Sequence, residues 1–250
     1  MPTDSDRDWN LIGALDPYFG VLTEEKFKRA NLDEKALAEF FASGSHDLEA
    51  VVGDIRRHLA PDFSPARCLD FGCGVGRILI PMAKRYPRVI GVDISTAMLD
   101  EARKNCQTQQ LDNVEFVASD DALSRVTGKF DFIHSALVFQ HIPRSRGEKI
   151  FRRLTELLHP GGIAALHFTY RWRATRLERW KCWVIREVPF APAMVDLLKG
   201  RSTRLPVMEM NSYRINHLFS ILQREYRIER VHVKFIRHEQ HLGVMLFFQK

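Results

Sequence analysis

The chain has 250 residues, of which 45% are hydrophobic and 27% charged, with a formal net charge of +6. This length suits one large α/β domain with additions better than two full domains, and the composition excludes a disordered or fibrous chain. Met1–Asn10 is polar and acidic, with no signal-peptide-like apolar core. No run approaches the roughly 20 apolar residues of a membrane span, so a soluble, cytoplasmic protein is expected. The charge is uneven: residues 1–170 sum to −3 and residues 171–250 to +9, so attraction for an anionic partner is expected in the later part. Cys68, Cys73, Cys106 and Cys182 form no C-x-x-C pair. Neither a disulfide framework nor a zinc site is expected, and Cys68 and Cys73 read as packing thiols.

In chain order, Pro17-Tyr18-Phe19-Gly20 reads as a turn with two exposed aromatics. Helices are expected over Leu32–Phe41 and over Asp47–Leu59, the second with Ser45 as its N-cap, so residues 1–60 read as a helical extension. Strands are then expected at Arg67–Phe71, Arg88–Asp93, Val114–Ala118, Phe130–Val138 and Ile163–Thr169. Helices fall between them at Arg77–Arg85 (with a kink at Pro81), at Ser95–Cys106 and at Arg144–Leu158. Such alternation predicts a doubly wound parallel sheet covered on both faces. A helix at Ser212–Arg224 follows, and Ile228–Arg237 and Leu242–Gln249 are joined by a short link with hairpin spacing.

The most informative stretch is Cys68-Leu69-Asp70-Phe71-Gly72-Cys73-Gly74-Val75-Gly76-Arg77. An apolar strand breaks into three glycines at alternate positions and a helical run follows, which reads as a backbone cradle for a ligand at a helix start. Asp70 stands at the strand end, where its carboxylate can meet a cationic or polar ligand group. The spacing is G-x-G-x-G rather than the dinucleotide G-x-G-x-x-G. This run resembles the first motif of the class I S-adenosylmethionine-dependent methyltransferases of the small-molecule type. The resemblance covers roughly residues 45–170 and the closing hairpin. It implies a Rossmann-like, doubly wound, seven-stranded sheet, mostly parallel with a C-terminal antiparallel hairpin, and S-adenosylmethionine as cofactor. Residues 61–250 would form the methyltransferase domain, with a substrate-lid insertion at about 171–214 after the fifth strand.

The resemblance also implies cofactor contacts. Asp70, Gly72, Cys73, Gly74, Gly76 and Arg77 would wrap the methionine part. Asp93 and Ile94, ending the second strand, would meet the ribose; the alternative for Asp93 is a cap on the next helix, a role to which Ser95 is already suited. Asp120 or Asp121 would receive the adenine amino group, with Ser119 where the family commonly has glycine. Ala136 lies in the exit of the fourth strand. That exit lacks an Asn/Asp-Pro-Pro-Tyr-like motif and an aspartate metal ligand, which disfavours DNA-base amines and glutamine as acceptors and a magnesium site.

His141 is the candidate base, since an imidazole titrates near neutrality; an orienting role is the alternative. His167, Tyr170, Tyr213 and Tyr18 are candidates for the acceptor pocket, His167 equally a core strand residue. Arg171–Arg214 interleaves tryptophans with arginines and reads as an amphipathic lid that selects the acceptor, with an anionic ligand or membrane-surface contact as alternatives. No nucleic-acid-binding module is recognisable. The expected activity is metal-independent methyl transfer to a hydroxyl, carboxyl or amine of a small metabolite or glycan, oxygen favoured. A nicotinamide oxidoreductase and a non-catalytic cofactor-binding protein are the alternatives.

Overall fold

The computed structural model describes residues 5–172, 205–206, 208–237 and 241–250. Seven strands form one sheet: β1 (Arg67–Phe71), β2 (Arg88–Asp93), β3 (Val114–Ala118), β4 (Phe130–Ser135), β5 (Leu158–Trp172), β6 (Arg230–Arg237) and β7 (His241–Gln249). Their order is β3-β2-β1-β4-β5-β7-β6. The first five are parallel, and β7 runs antiparallel to both β5 and β6. The winding reverses between β1 and β4, so the loops leaving those strands open a crevice at their carboxyl ends, where ligands of open α/β sheets bind.

Strand residues alternate between two cores. Leu69 and Phe71 of β1 join one apolar cluster with Val244, Leu246 and Phe248 of β7, while Cys68, Met245 and Phe247 join the other. The first core is covered by α6 (Arg144–Leu157) and α7 (Ile215–Glu225), the second by α4 (Leu79–Arg85) and the later part of α3 (Glu34–His58). Phe130, Phe132, Phe151 and Phe168 are fully buried. Each such side chain contributes roughly 1.5–3 kcal/mol of burial. A third cluster joins α1 (Ser5–Leu15), α2 (Pro17–Val21) and the start of α3 to Val75 of the glycine loop and Met98 of α5 (Thr96–Thr108). The N-terminal segment is therefore packed onto the crevice.

Several local expectations are corrected. The two expected helices are one, α3, capped by Asp33, whose Oδ1 accepts from the Ala36 amide at 2.7 Å. Ser45 does not cap; its hydroxyl donates back to the Phe41 carbonyl at 3.3 Å. Gly44 is tolerated mid-helix because α3 touches the cradle there: a Cβ would lie 2.0 Å from the Arg77 carbonyl oxygen. Pro81 sits in the first turn of α4, where its missing N–H breaks no helical bond, and the kink is not formed. β4 stops at Ser135 because Leu137 takes φ 62°, which a strand does not accommodate. β5 extends further than expected at both ends because Leu158 pairs with Phe130 of β4 at its start and β7 pairs with it as far as Trp172 at its end. Tyr18 is buried, not exposed, within a short helix that replaces the expected turn. Residues 238–240 of the expected link and 173–204 of the expected lid lie outside the described residues.

Candidate active site

At the carboxyl ends of β1, β2 and β4 lies a cavity of about 110 Å³ that opens to solvent. Its floor is the glycine loop. The Gly72 and Cys73 amides both donate to the Val92 carbonyl, at 2.7 and 3.0 Å, folding the loop back over β2. Gly72 and Gly74 have φ of 73° and 53°, a conformation side chains disfavour. A Cβ on Gly72 would lie 2.2 Å from Val138, and one on Gly74 2.8 Å from Val21 of α2. Both glycines line the cavity with Asp70, Cys73, Arg77, Asp93, Ile94 and Ala136. Gly76 does not; it faces Ile80 and Ala102 behind the loop. The Arg77 guanidinium turns to α3, donating to Asp47 at 2.7 Å and to the Ser43 hydroxyl at 3.3 Å.

Two carboxylates stand at this floor, Asp70 buried and Asp93 partly buried. Asp93 Oδ2 accepts from the Gly74 amide at 2.8 Å and Oδ1 from the Ser95 amide at 2.9 Å. Burial raises its pKa to about 6, against the lowering effect of those amides. The cap of α5 is Ser95, as expected, so Asp93 ties that helix to the cradle while still lining the cavity. Asp70 Oδ1 pairs with His134 Nδ1 at 2.8 Å, and both side chains are almost fully buried. The register of β1 and β4 sets them side by side. Burial and the nearby Asp93 and Asp70 charges push the Cys73 thiol far up, which fits packing rather than reactivity.

At the end of β3, Ser119 lines the cavity, whereas Asp120 and Asp121 do not. Asp120 caps a local turn, accepting from the Ser124 amide at 2.9 Å and from its hydroxyl. Asp121 pairs with Arg146. The roof is α1. Asp6 makes a two-pronged ion pair with Arg146 of α6, at 2.5 and 2.9 Å, and Trp9 meets the His141 ring edge-on at 4.9 Å. Ser5, Asp6, Trp9, His141 and Arg146 all line the cavity.

His141 is 8% exposed and both its nitrogens are engaged. Nδ1 lies 2.8 Å from the Glu209 carbonyl, so it carries the proton and donates. Nε2 then accepts from the Gln140 amide at 3.1 Å. Burial lowers its pKa to about 4. The remaining acceptor candidates are elsewhere. The Tyr18 hydroxyl donates to Glu101 and Asn105 on α5. His167 is buried in the sheet opposite Met245. Tyr213 packs on Phe139 and Phe168 and donates to the Ile142 carbonyl at 2.9 Å, and Tyr170 packs against the same core.

Sequence reasoning passed over His134, Ser119, Asp6, Trp9 and Arg146. His134 carried a signal, a polar residue inside the apolar run Phe132-Ile133-His134. Asp6 and Trp9 lie so far from the motifs in sequence that only the fold brings them to the site.

Residues 68–162 match the family model described as a methyltransferase domain. The chain carries a class I S-adenosylmethionine-dependent methyltransferase domain. Its cofactor is S-adenosylmethionine, and the glycine cradle that a Cβ would fill, with two carboxylates beside it, fits that group. Among relatives, trans-aconitate 2-methyltransferase of Deinococcus radiodurans is 36% identical over 110 residues, 43% of this chain and 40% of that protein. The ubiquinone biosynthesis O-methyltransferase of Coxiella burnetii is 32% identical over 95 residues, 38% of this chain and 39% of that protein. The matches thus span under half of these relatives. The methyltransferase fold extends over the whole chain: magnesium protoporphyrin IX methyltransferase from Synechocystis PCC 6803, solved with bound SAH, superposes with a TM-score of 0.64 at 17% identity, covering 99% of this chain and 100% of that one. These matches set aside the nicotinamide oxidoreductase. No helix among the described residues is long and apolar enough to cross a membrane.

Proposed function

We propose that the protein methylates an oxygen of a small-molecule acceptor that is already anionic at neutral pH, a carboxylate by preference. The observation that carries this reading is the state of the cavity's titratable groups. Asp6 is paired with Arg146, Asp70 with His134, Asp93 holds two amides, and His141 has a depressed pKa and an engaged Nε2. Each of these groups is already committed to a partner within the protein, so none is free to take the acceptor's proton, and a carboxylate needs none taken. A hydroxyl or amine, which must lose a proton, is served less well. Names among the relatives that specify O-methylation lend further support.

Bound S-adenosylmethionine supplies an electrophilic methyl group on its sulfonium. Asp70, held by His134, would meet the amino group of the methionine part, and Asp93 the ribose hydroxyls, while Gly72 and Gly74 give the backbone access. Arg146 is the cation for the acceptor. It is shared by Asp6 and Asp121, so an incoming carboxylate exchanges with Asp6, and α1 shifts to admit it. Trp9 and His141 wall the acceptor side and keep water from the reacting oxygen.

A methyl-donor assay over carboxylic acids, phenols, alcohols and amines, with mass detection of a CH₂ gain, tests the proposal. Carboxylic acids should turn over. His141→Asn should keep turnover within about tenfold, whereas a general base would cost roughly 10²–10⁴-fold. Arg146→Gln should raise the acceptor KM and leave cofactor affinity alone. Cofactor binding without methylation of any class, or turnover confined to amines, would overturn it.

A further inference from the structure

We propose a second ligand site, away from the cavity: a divalent-metal site for Zn²⁺ formed by Asp54 and His58 of α3 and His232 of β6. Asp54 and His58 are four residues apart near the C-terminal end of α3, so they project from one face on successive turns. His232 reaches them from the outer strand of the sheet. One ligand atom from each lies within 4.8 Å of the others. A tetrahedral zinc with ligand bonds of about 2.0–2.2 Å needs donor atoms roughly 3.3 Å apart, so the donors must close in and one imidazole must turn out of its stack with the other.

The donor set argues for this cation. Two imidazoles and one carboxylate suit zinc, and three protein ligands leave a position for water. The two imidazoles stack with centroids 3.8 Å apart and planes 12° from parallel, which gathers both rings at one spot, and binding a shared ion would unstack them because parallel rings aim no lone pairs at a common point. Asp54 is mostly buried and is held by Lys234 at 2.8 Å. That ammonium is one cation already recruited to the spot, and a divalent ion would compete with it for the carboxylate. Missing C-x-x-C pairs gave no hint of this site, because its ligands are imidazoles joined by the fold. Bound metal would brace α3 to the outermost strand.

The test uses the untagged full chain, stripped with a chelator and titrated calorimetrically with ZnCl₂; CoCl₂ serves as a visible-absorption probe. One saturable Zn²⁺ per chain is expected, with a raised Tm and visible d–d bands for the Co²⁺ form. His58→Gln and His232→Gln should each weaken binding by more than the roughly 10–100-fold that loss of a residue merely hydrogen-bonded to a ligand costs. Lys234→Met should tighten binding by freeing Asp54. These residues are at the surface, so the variants should fold, and near-ultraviolet circular dichroism checks that they do. Absence of one-to-one binding, affinity indifferent to both histidines, or weaker binding in Lys234→Met would each overturn the proposal.

Discussion

In the proposed reading, Asp93 serves the protein and its cofactor with one carboxylate. It holds the Gly74 and Ser95 amides, and its pKa of about 6 puts its titration just below neutrality. Only the ionised form accepts freely from both ribose hydroxyls, so S-adenosylmethionine should bind more tightly as pH rises from 5 to 7. Asp93→Asn should weaken binding at pH 7 by about 1–3 kcal/mol and abolish that pH dependence; calorimetry at several pH values reads both. A wild-type affinity that stays flat across this range would remove Asp93 from the ribose. His134 makes a matching case for Asp70. His134→Phe leaves a buried carboxylate without its partner, and cofactor Kd should rise roughly tenfold or more, since a lost charged hydrogen bond costs about 1.5–3 kcal/mol. His134→Gln, which keeps a donor, should recover part of the loss. If Phe binds the cofactor as well as His, the pair is packing only.

The helix α3 shows at element scale how the cap is coupled to the cradle. It contributes Phe40 to the N-terminal cluster and Val52 and Ile55 to the sheet core. Between these, Gly44 meets the Arg77 backbone, and Ser43 and Asp47 hold the Arg77 guanidinium. Gly44→Ala should therefore lower both Tm and cofactor affinity, because the contact is with backbone and cannot yield cheaply. Gly53 in the same helix is the control: nothing lies within 4 Å of its Cβ position, so Gly53→Ala should stabilise by roughly 0.5–1 kcal/mol. Thermal melts of the two variants should move in opposite directions; equal shifts would show that α3 does not bear on the cradle. This coupling also explains one error of sequence reading. Ser45 beside Gly44 looks like a helix break, and only the tertiary contact with Arg77 reveals why the glycine sits mid-helix.

For the whole molecule, the sheet was legible because buried parallel strands are continuous apolar runs ending in recognisable residues, such as Asp70, Gly72 and Asp93. Much of the cavity floor followed, since Asp70, Gly72, Gly74 and Asp93 are local to those strand ends, whereas Gly76, Asp120 and Asp121 do not line it. On the side we propose for the acceptor, only His141 was legible. That side is assembled from Asp6, Trp9, His141 and Arg146, whose meeting depends on α1 folding back over α6, and no local pattern encodes that. The two sides leave opposed marks on acid stability. His141, with its pKa lowered by burial to about 4 from 6.5, takes up fewer protons folded than unfolded, so its share of stability is complete above pH 6.5 and is lost as pH falls toward 4. Asp93, raised to about 6 from 3.8, takes up more protons folded, so its effect runs the other way: stability falls as pH rises from 4 to 6. Each shift corresponds to about 3 kcal/mol. From these two groups the wild type should show little net change in denaturation midpoint between pH 4 and 6. His141→Asn removes one slope and should leave a protein that gains stability on acidification. Asp93→Asn removes the other and should leave one that loses it. Urea melts of the three proteins across this range check the cancellation. Parallel curves would mean that neither group titrates in the folded protein where its burial places it.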